Sequence, residues 1–136
     1  MHIYFDSSAL IKRVVLESES AALADALDRY EEADHVVASS SLAWIEVTRA
    51  LRTRSRLSHS DATKAADEAM SGIAEQPIST QVMNLARHIG PDVLRSLDAI
   101  HLASAVLLGA DVVVTYDERL AIACQGNGLA VAAPRN

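Results

Sequence analysis

The sequence predicts an α/β fold built on a parallel sheet that is covered by helices on both faces. Two observations carry that expectation. Short runs apolar on both faces recur along the chain, and each is followed by a stretch with helical patterning. Right-handed crossovers then connect the strands. His2–Phe5 is the first strand, ending at Asp6, and Ser8–Leu16 follows as a helix. Ser20–Tyr30 is the next helix, with Ser18 placed to cap it. The second strand is His35–Ala38, after which Ser39 or Ser40 caps a helix over Ser41–Arg54. Ser60–Ile73 is helical, Pro77–Ser79 supplies a further strand, and Thr80–His88 and Leu97–Leu108 are helices. Asp111–Thr115 is a strand of β-branched residues, Glu118–Gln125 a helix and Leu129–Ala132 the closing strand. Gly109 and Gly126 suit helix ends. With no repeat, low-complexity tract or Pro/Gly-rich linker, residues 1–136 read as one domain.

Composition narrows the function classes. Half of the residues are hydrophobic and the mean hydropathy is +0.14, which excludes a disordered chain. Aromatic residues make up 4%, so the core must be built from Ala, Val, Leu and Ile. The single cysteine, Cys124, excludes an intramolecular disulfide framework and a cysteine-based zinc site. No apolar stretch approaches the roughly eighteen residues of a membrane span, and the first residues lack the basic segment of a signal peptide. A cytoplasmic protein with no membrane association is expected. Twelve Lys and Arg against eighteen Asp and Glu give a net charge of −6, which argues against phosphate binding by a broadly basic surface. A cluster of acids that takes up Mg²⁺ changes sign locally, however, so nucleic-acid chemistry is not excluded. Arg49, Arg52, Arg54 and Arg56 crowd one short window, either as a solvated helix end or as a patch facing phosphate.

In open parallel sheets ligands sit beyond the carboxyl ends of the strands, and four acids fall where that edge should be. Asp6 follows the first strand and Asp117 follows the strand ending at Thr115; either also suits a helix N-cap. Asp98 lies in the first turn of a helix that reads as buried nearly all round, so its carboxylate must be solvated, paired or metal-bound. Glu46, within Leu42-Ala43-Trp44-Ile45-Glu46-Val47, is too far along its helix to cap it. It either faces solvent on the outer side or turns to the same site. Two carboxylates about 4 Å apart repel by roughly 4 kcal/mol at an effective dielectric of 20. A converging set therefore takes up protons or a hard divalent cation, Mg²⁺ or Mn²⁺ rather than zinc. His101, one helical turn after Asp98 and on the same helical face, either supports the acids from behind or is a packed core histidine, the preferred reading; Trp44 and Tyr4 either stack a base or, as preferred, pack in the core.

The segments Ile3-Tyr4-Phe5-Asp6-Ser7-Ser8-Ala9-Leu10, Ser40-Ser41-Leu42-Ala43-Trp44-Ile45-Glu46, Leu97-Asp98-Ala99-Ile100-His101-Leu102-Ala103 and Val114-Thr115-Tyr116-Asp117-Glu118-Arg119 occur in this order. In order and spacing the sequence resembles the PIN-domain ribonucleases, in particular the VapC-type toxins of toxin–antitoxin pairs, over almost its whole length. The resemblance implies a three-layer α/β/α sandwich with strand order 3-2-1-4-5. It implies an acidic metal site of Asp6, Glu46, Asp98 and Asp117, with Ser7 and Thr115 at small polar positions that steady the carboxylates or a bound water. It also implies a Mg²⁺-dependent endoribonuclease, a homodimer, and a VapB-like antitoxin that sets an arginine against the carboxylates. Two other readings stay open. An aspartyl-nucleophile phosphohydrolase would need a second Asp two residues after Asp6, where this chain has Ser8. A non-catalytic α/β binding module would use the acids only as caps, which Glu46 does not fit.

Overall fold

The structure is a computed structural model and describes residues 1–136. The alternation of side chains along the first strand decides the layers. In β1 (His2–Phe5), Ile3 and Phe5 point to one face of the sheet and Tyr4 to the other, all three fully buried. The chain continues through α1 (Ser7–Ile11), α2 (Ser20–Glu32), β2 (Val36–Ser40), α3 (Ser41–Thr53) and α4 (His59–Ala69). It then runs through β3 (Ala74–Gln76), α5 (Thr80–Ala86), α6 (Ser96–Leu108), β4 (Val112–Val114), α7 (Glu118–Gly126) and β5 (Ala130–Ala132). All pairings are parallel and the order is β3-β2-β1-β4-β5, as the family resemblance implies. The outer strands β3 and β5 are each only 3 residues long.

Residues of α1 to α4 form the core on the Ile3/Phe5 face, with Leu10, Leu23, Val47 and Leu51 among the buried side chains. Leu102 and Ala105 of α6 and Leu120, Ala123 and Cys124 of α7 pack against Tyr4 and Val113 on the other face, and α5 packs on α6. The core is thus mainly aliphatic, as expected, and α6 is buried along its middle, at Ala99 and from His101 to Ala105, while Leu97 and Leu107 toward its ends are exposed. No helix is long and apolar enough to cross a membrane.

Several boundaries differ from the sequence expectation, for local reasons. The first helix stops at Ile11 rather than Leu16, because the chain tightens into i→i+3 turns through Val14. Arg13 then donates to the carbonyls of Ala69 and Ser71, while Lys12 reaches back to Glu17 and Glu19. Ser18 does not cap α2: Glu19 occupies that position without a side-chain bond. The fourth helix ends at Ala69, short of Ile73, and Gly72 turns the chain at φ 78°. The third strand is Ala74–Gln76, not Pro77–Ser79. Pro77 has no N–H for the ladder and ends the strand, and Ser79 caps α5 instead. That helix finishes at Ala86, not His88. Gly109 takes the left-handed conformation just past α6, and Gly126 is the last residue of α7 with Asn127 as its cap, so both mark helix ends as expected.

Candidate active site

The carboxyl ends of β1 and β4 are knitted together by side chains immediately past them. Because Phe5 pairs with Val114, the next residues, Asp6 and Thr115, stand side by side. Thr115 Oγ1 donates to Asp6 Oδ2 at 2.6 Å, and Ser8 Oγ donates to Asp6 Oδ1 at 2.7 Å. The Ala9 N–H also donates to Oδ1, so Asp6 is the N-cap of α1 as well as a buried acid, 4% exposed. Burial pushes the Asp6 carboxyl above its ordinary value, and His101, Thr115, Ser8 and the Ala9 N–H pull it back only in part. Asp117 likewise caps α7, its Oδ1 accepting from the N–H groups of Arg119 and Leu120. The capping roles foreseen for Asp6 and Asp117 are therefore real and coexist with their place at the strand edge.

Glu46 does not face bulk solvent. Its Oε1 accepts from Ser7 Oγ at 2.6 Å and lies 2.6 Å from His101 Nε2. Burial raises its pKa, but the hydrogen bonds from His101 and Ser7 outweigh that and leave it lowered. Asp98, in the first turn of α6, has no salt-bridge partner. Its pKa is raised, first by burial and then by Asp117, with Glu46 and Asp6 adding and His101 opposing. Asp98 therefore feels all three other acids.

A cavity of about 680 Å³ collects these groups: Asp6, Ser7, Glu46, Asp98 and Asp117 all line it. Thr115 sits beneath, bridging Asp6 and the Asp117 N–H. No three of the chain's His, Cys, Asp or Glu side chains are already grouped tightly enough to grip an ion. The donor chemistry nevertheless fits a hydrated hard cation. The oxygens are carboxylates, Asp98 is held at a cost by its like-charged neighbours, and Mg²⁺ keeps several of its own waters between itself and a protein.

Three participants were not legible as such in the sequence. Ser8 orients Asp6. His101 is buried, as expected, but it is wired to Glu46 rather than merely packed. Tyr4, also buried as expected, lies with its hydroxyl 2.6 Å from His101 Nδ1. The spacing of His101 one turn after Asp98 was the one sequence signal for it.

The PIN domain family matches residues 3–125. Ribonuclease VapC46 of Mycobacterium tuberculosis (strain ATCC 25618 / H37Rv) is 42% identical over 134 residues, 97% of each chain. Ribonuclease VapC47 of Mycobacterium tuberculosis (strain CDC 1551 / Oshkosh) is 36% identical over 97% of this chain and 96% of its own. Among solved structures, VapBC2 from Rickettsia felis bound to a DNA fragment superposes with a TM-score of 0.75 over 97% of this chain and 98% of that one. At 12% identity that likeness speaks for the fold. The family match, the identity to two VapC relatives over nearly full length and the shared strand order lead to one conclusion: the chain belongs to the PIN-domain family, in its VapC group.

Proposed function

We propose that this protein is a Mg²⁺-dependent endoribonuclease and the toxin of a type II toxin–antitoxin pair. The observation that carries the reading is the single cavity into which four different elements deliver Asp6, Glu46, Asp98 and Asp117. Asp98, Glu46 through Oε2 and Asp117 through Oδ2 offer the oxygens least engaged by the protein, and Asp6 lies deeper, clamped by Ser8 and Thr115. When bound, Mg²⁺ (or Mn²⁺) supplies an acidified water and neutralises charge on the reacting phosphate. The protein's part is to place that charge: Thr115 and Ser8 fix Asp6, and Ser7 and His101 fix Glu46. Asp6 is a poor candidate for a covalent nucleophile, because both its oxygens are occupied and it is buried. Capping alone does not explain Glu46 or Asp98 either.

The test is cleavage of RNA with Mg²⁺ present and with excess chelator. Fragments with 5′-phosphate and 3′-hydroxyl ends are expected, and none with chelator. Undiminished cleavage in chelator overturns the reading. Mapping cleaved 5′ ends in cells after induction identifies the RNA.

Arg49 and Arg54 line the same cavity and form no ion pair, unlike Lys12, which is neutralised by Glu17 and Glu19. Of the two roles open to the arginine window, they take the one facing phosphate. Replacing both by Ala is expected to weaken RNA binding and to flatten its log–log salt dependence by about 1.4, at roughly 0.7 per single-strand phosphate contact. Filter binding across a salt series checks it, and an unchanged slope removes these residues from the RNA path.

The VapBC neighbour points to a cognate antitoxin as partner. A groove of about 500 Å³ offers it a seat with an apolar part, Val14, Leu16, Ala21, Ala24 and Leu27, bordered by Lys12, Arg13, Ser20 and Asp28, with Leu16 91% exposed. A guanidinium from that partner would satisfy the acidic cavity as a cation does. The family resemblance adds a homodimer to this assembly, and sedimentation of the purified chain tests it.

A further inference from the structure

We propose that the buried Tyr4–His101 pair is a positioning device for Glu46, pinning one carboxylate oxygen so that the other is presented to a divalent cation. The proposal rests on the metal-dependent reading above. Tyr4 Oη meets two hydrogen-bonding groups: the Ser40 N–H at 3.3 Å and His101 Nδ1 at 2.6 Å. The N–H can only donate and takes one lone pair of the phenol oxygen; at the other end of the ring the Glu46 carboxylate can only accept, so Nε2 carries a hydrogen, and Nδ1 of the neutral imidazole accepts the phenol's proton. Burial pushes the Tyr4 pKa far above the ordinary tyrosine range, and the phenol keeps that proton to give. With Nδ1 accepting, the imidazole carries its hydrogen on Nε2, an assignment made from the hydrogen-bond network. Nε2–H then donates to Glu46 Oε1 at 2.6 Å, and Ser7 Oγ donates to the same oxygen at 2.6 Å. Oε1 thus holds two donors, and Oε2 is left to a ligand.

The device is rigid. Tyr4 is fully buried on the central strand, His101 is 3% exposed, and the two rings meet edge-on with centroids 5.9 Å apart. A phenylalanine would fill the same space; what the tyrosine adds is the hydroxyl that anchors Nδ1 and so holds Nε2–H on Glu46. Metal-site partners of this kind are commonly worth ten- to a hundredfold in affinity.

Mn²⁺ binding to the full chain, followed by calorimetry, is the test, with thermal melting of each variant alongside. Tyr4→Phe is expected to weaken Mn²⁺ about tenfold, at the low end of that range. His101→Leu should lose at least as much, and His101→Gln, whose amide N–H reaches where Nε2–H stood, should recover most of it. In a Glu46→Gln background, Tyr4→Phe should cost nothing further, because no carboxylate remains to be positioned. Unchanged Mn²⁺ affinity in Tyr4→Phe overturns the proposal, as does an equal loss with and without Glu46, which marks a packing role. Tyr4→Phe alters one atom and carries the test even if His101→Leu fails to fold. If the unaltered chain takes up no Mn²⁺, the metal-dependent reading falls and the positioning role falls with it. Uptake by the unaltered chain with Tyr4→Phe unaffected sinks the positioning role alone.

Discussion

Replacing Asp98 by Asn is expected to reduce Mg²⁺-dependent RNA cleavage at least about a hundredfold while raising the melting temperature of the metal-free protein at neutral pH. The loss follows from removing a carboxylate from a cation whose stabilisation of the transition state is worth several kcal/mol. The gain follows from linkage. Burial, Asp117, Glu46 and Asp6 lift the Asp98 pKa above its value in the unfolded chain. Between those two values the folded state holds a proton that the unfolded state has released, so stability falls as pH rises through that window. Above it, the ionised carboxylate is a standing cost that the amide lacks. The difference in melting temperature should therefore shrink on acidification, once Asp98 is itself protonated. Mg²⁺ should reverse the ranking: at a hundred times its Kd a ligand adds about 2.7 kcal/mol to the protein that binds it and nothing to the one that does not. Gel assays of cleavage and calorimetric scans with and without Mg²⁺ check both halves. A variant that cleaves normally removes Asp98 from the site.

Leu102→Ala is expected to cost about 2–5 kcal/mol in urea denaturation, with the m-value unchanged. Leu102 is fully buried in α6, where it packs with Tyr4, Val113, Leu120 and Cys124 between the sheet and α7. Truncation leaves a void that two parallel layers cannot close. A loss under 1 kcal/mol would mean that α6 is free to collapse onto the sheet, which the buried run from His101 to Ala105 argues against.

The sheet and its acids were legible because their signals are local. Four of the five strands contain short apolar runs, and Asp6 and Asp117 come just after two of them. The Thr115 half of the clamp on Asp6 came only through the family resemblance, because it depends on the register that sets Phe5 against Val114 and so brings Thr115, 109 positions away, beside Asp6; the Ser8 half was not foreseen. His101 shows the same limit. Its apolar neighbours rightly foretold burial, but its two ring nitrogens are satisfied by Tyr4 on β1 and Glu46 on α3, and no run of sequence contains those distances. A buried tyrosine needs a partner for its hydroxyl, and that requirement was the available clue to Tyr4. The misplaced third strand has a simpler cause: Pro77–Ser79 lies just past the true strand, and the exposed Ala74 and Glu75 lack the apolar pattern that marks the others.

The brevity of β3 and β5 bears on how this molecule can be approached. A sheet's margins are where a foreign backbone can zip on, and here each margin offers three residues, with Glu75 adding a charge to one of them. Recruitment by strand extension, whether by a regulatory peptide or by another copy on the way to aggregation, has too little template to start from. Any lasting association must be read through side chains on the helical flanks, which makes recognition of this protein a matter of helix-surface chemistry.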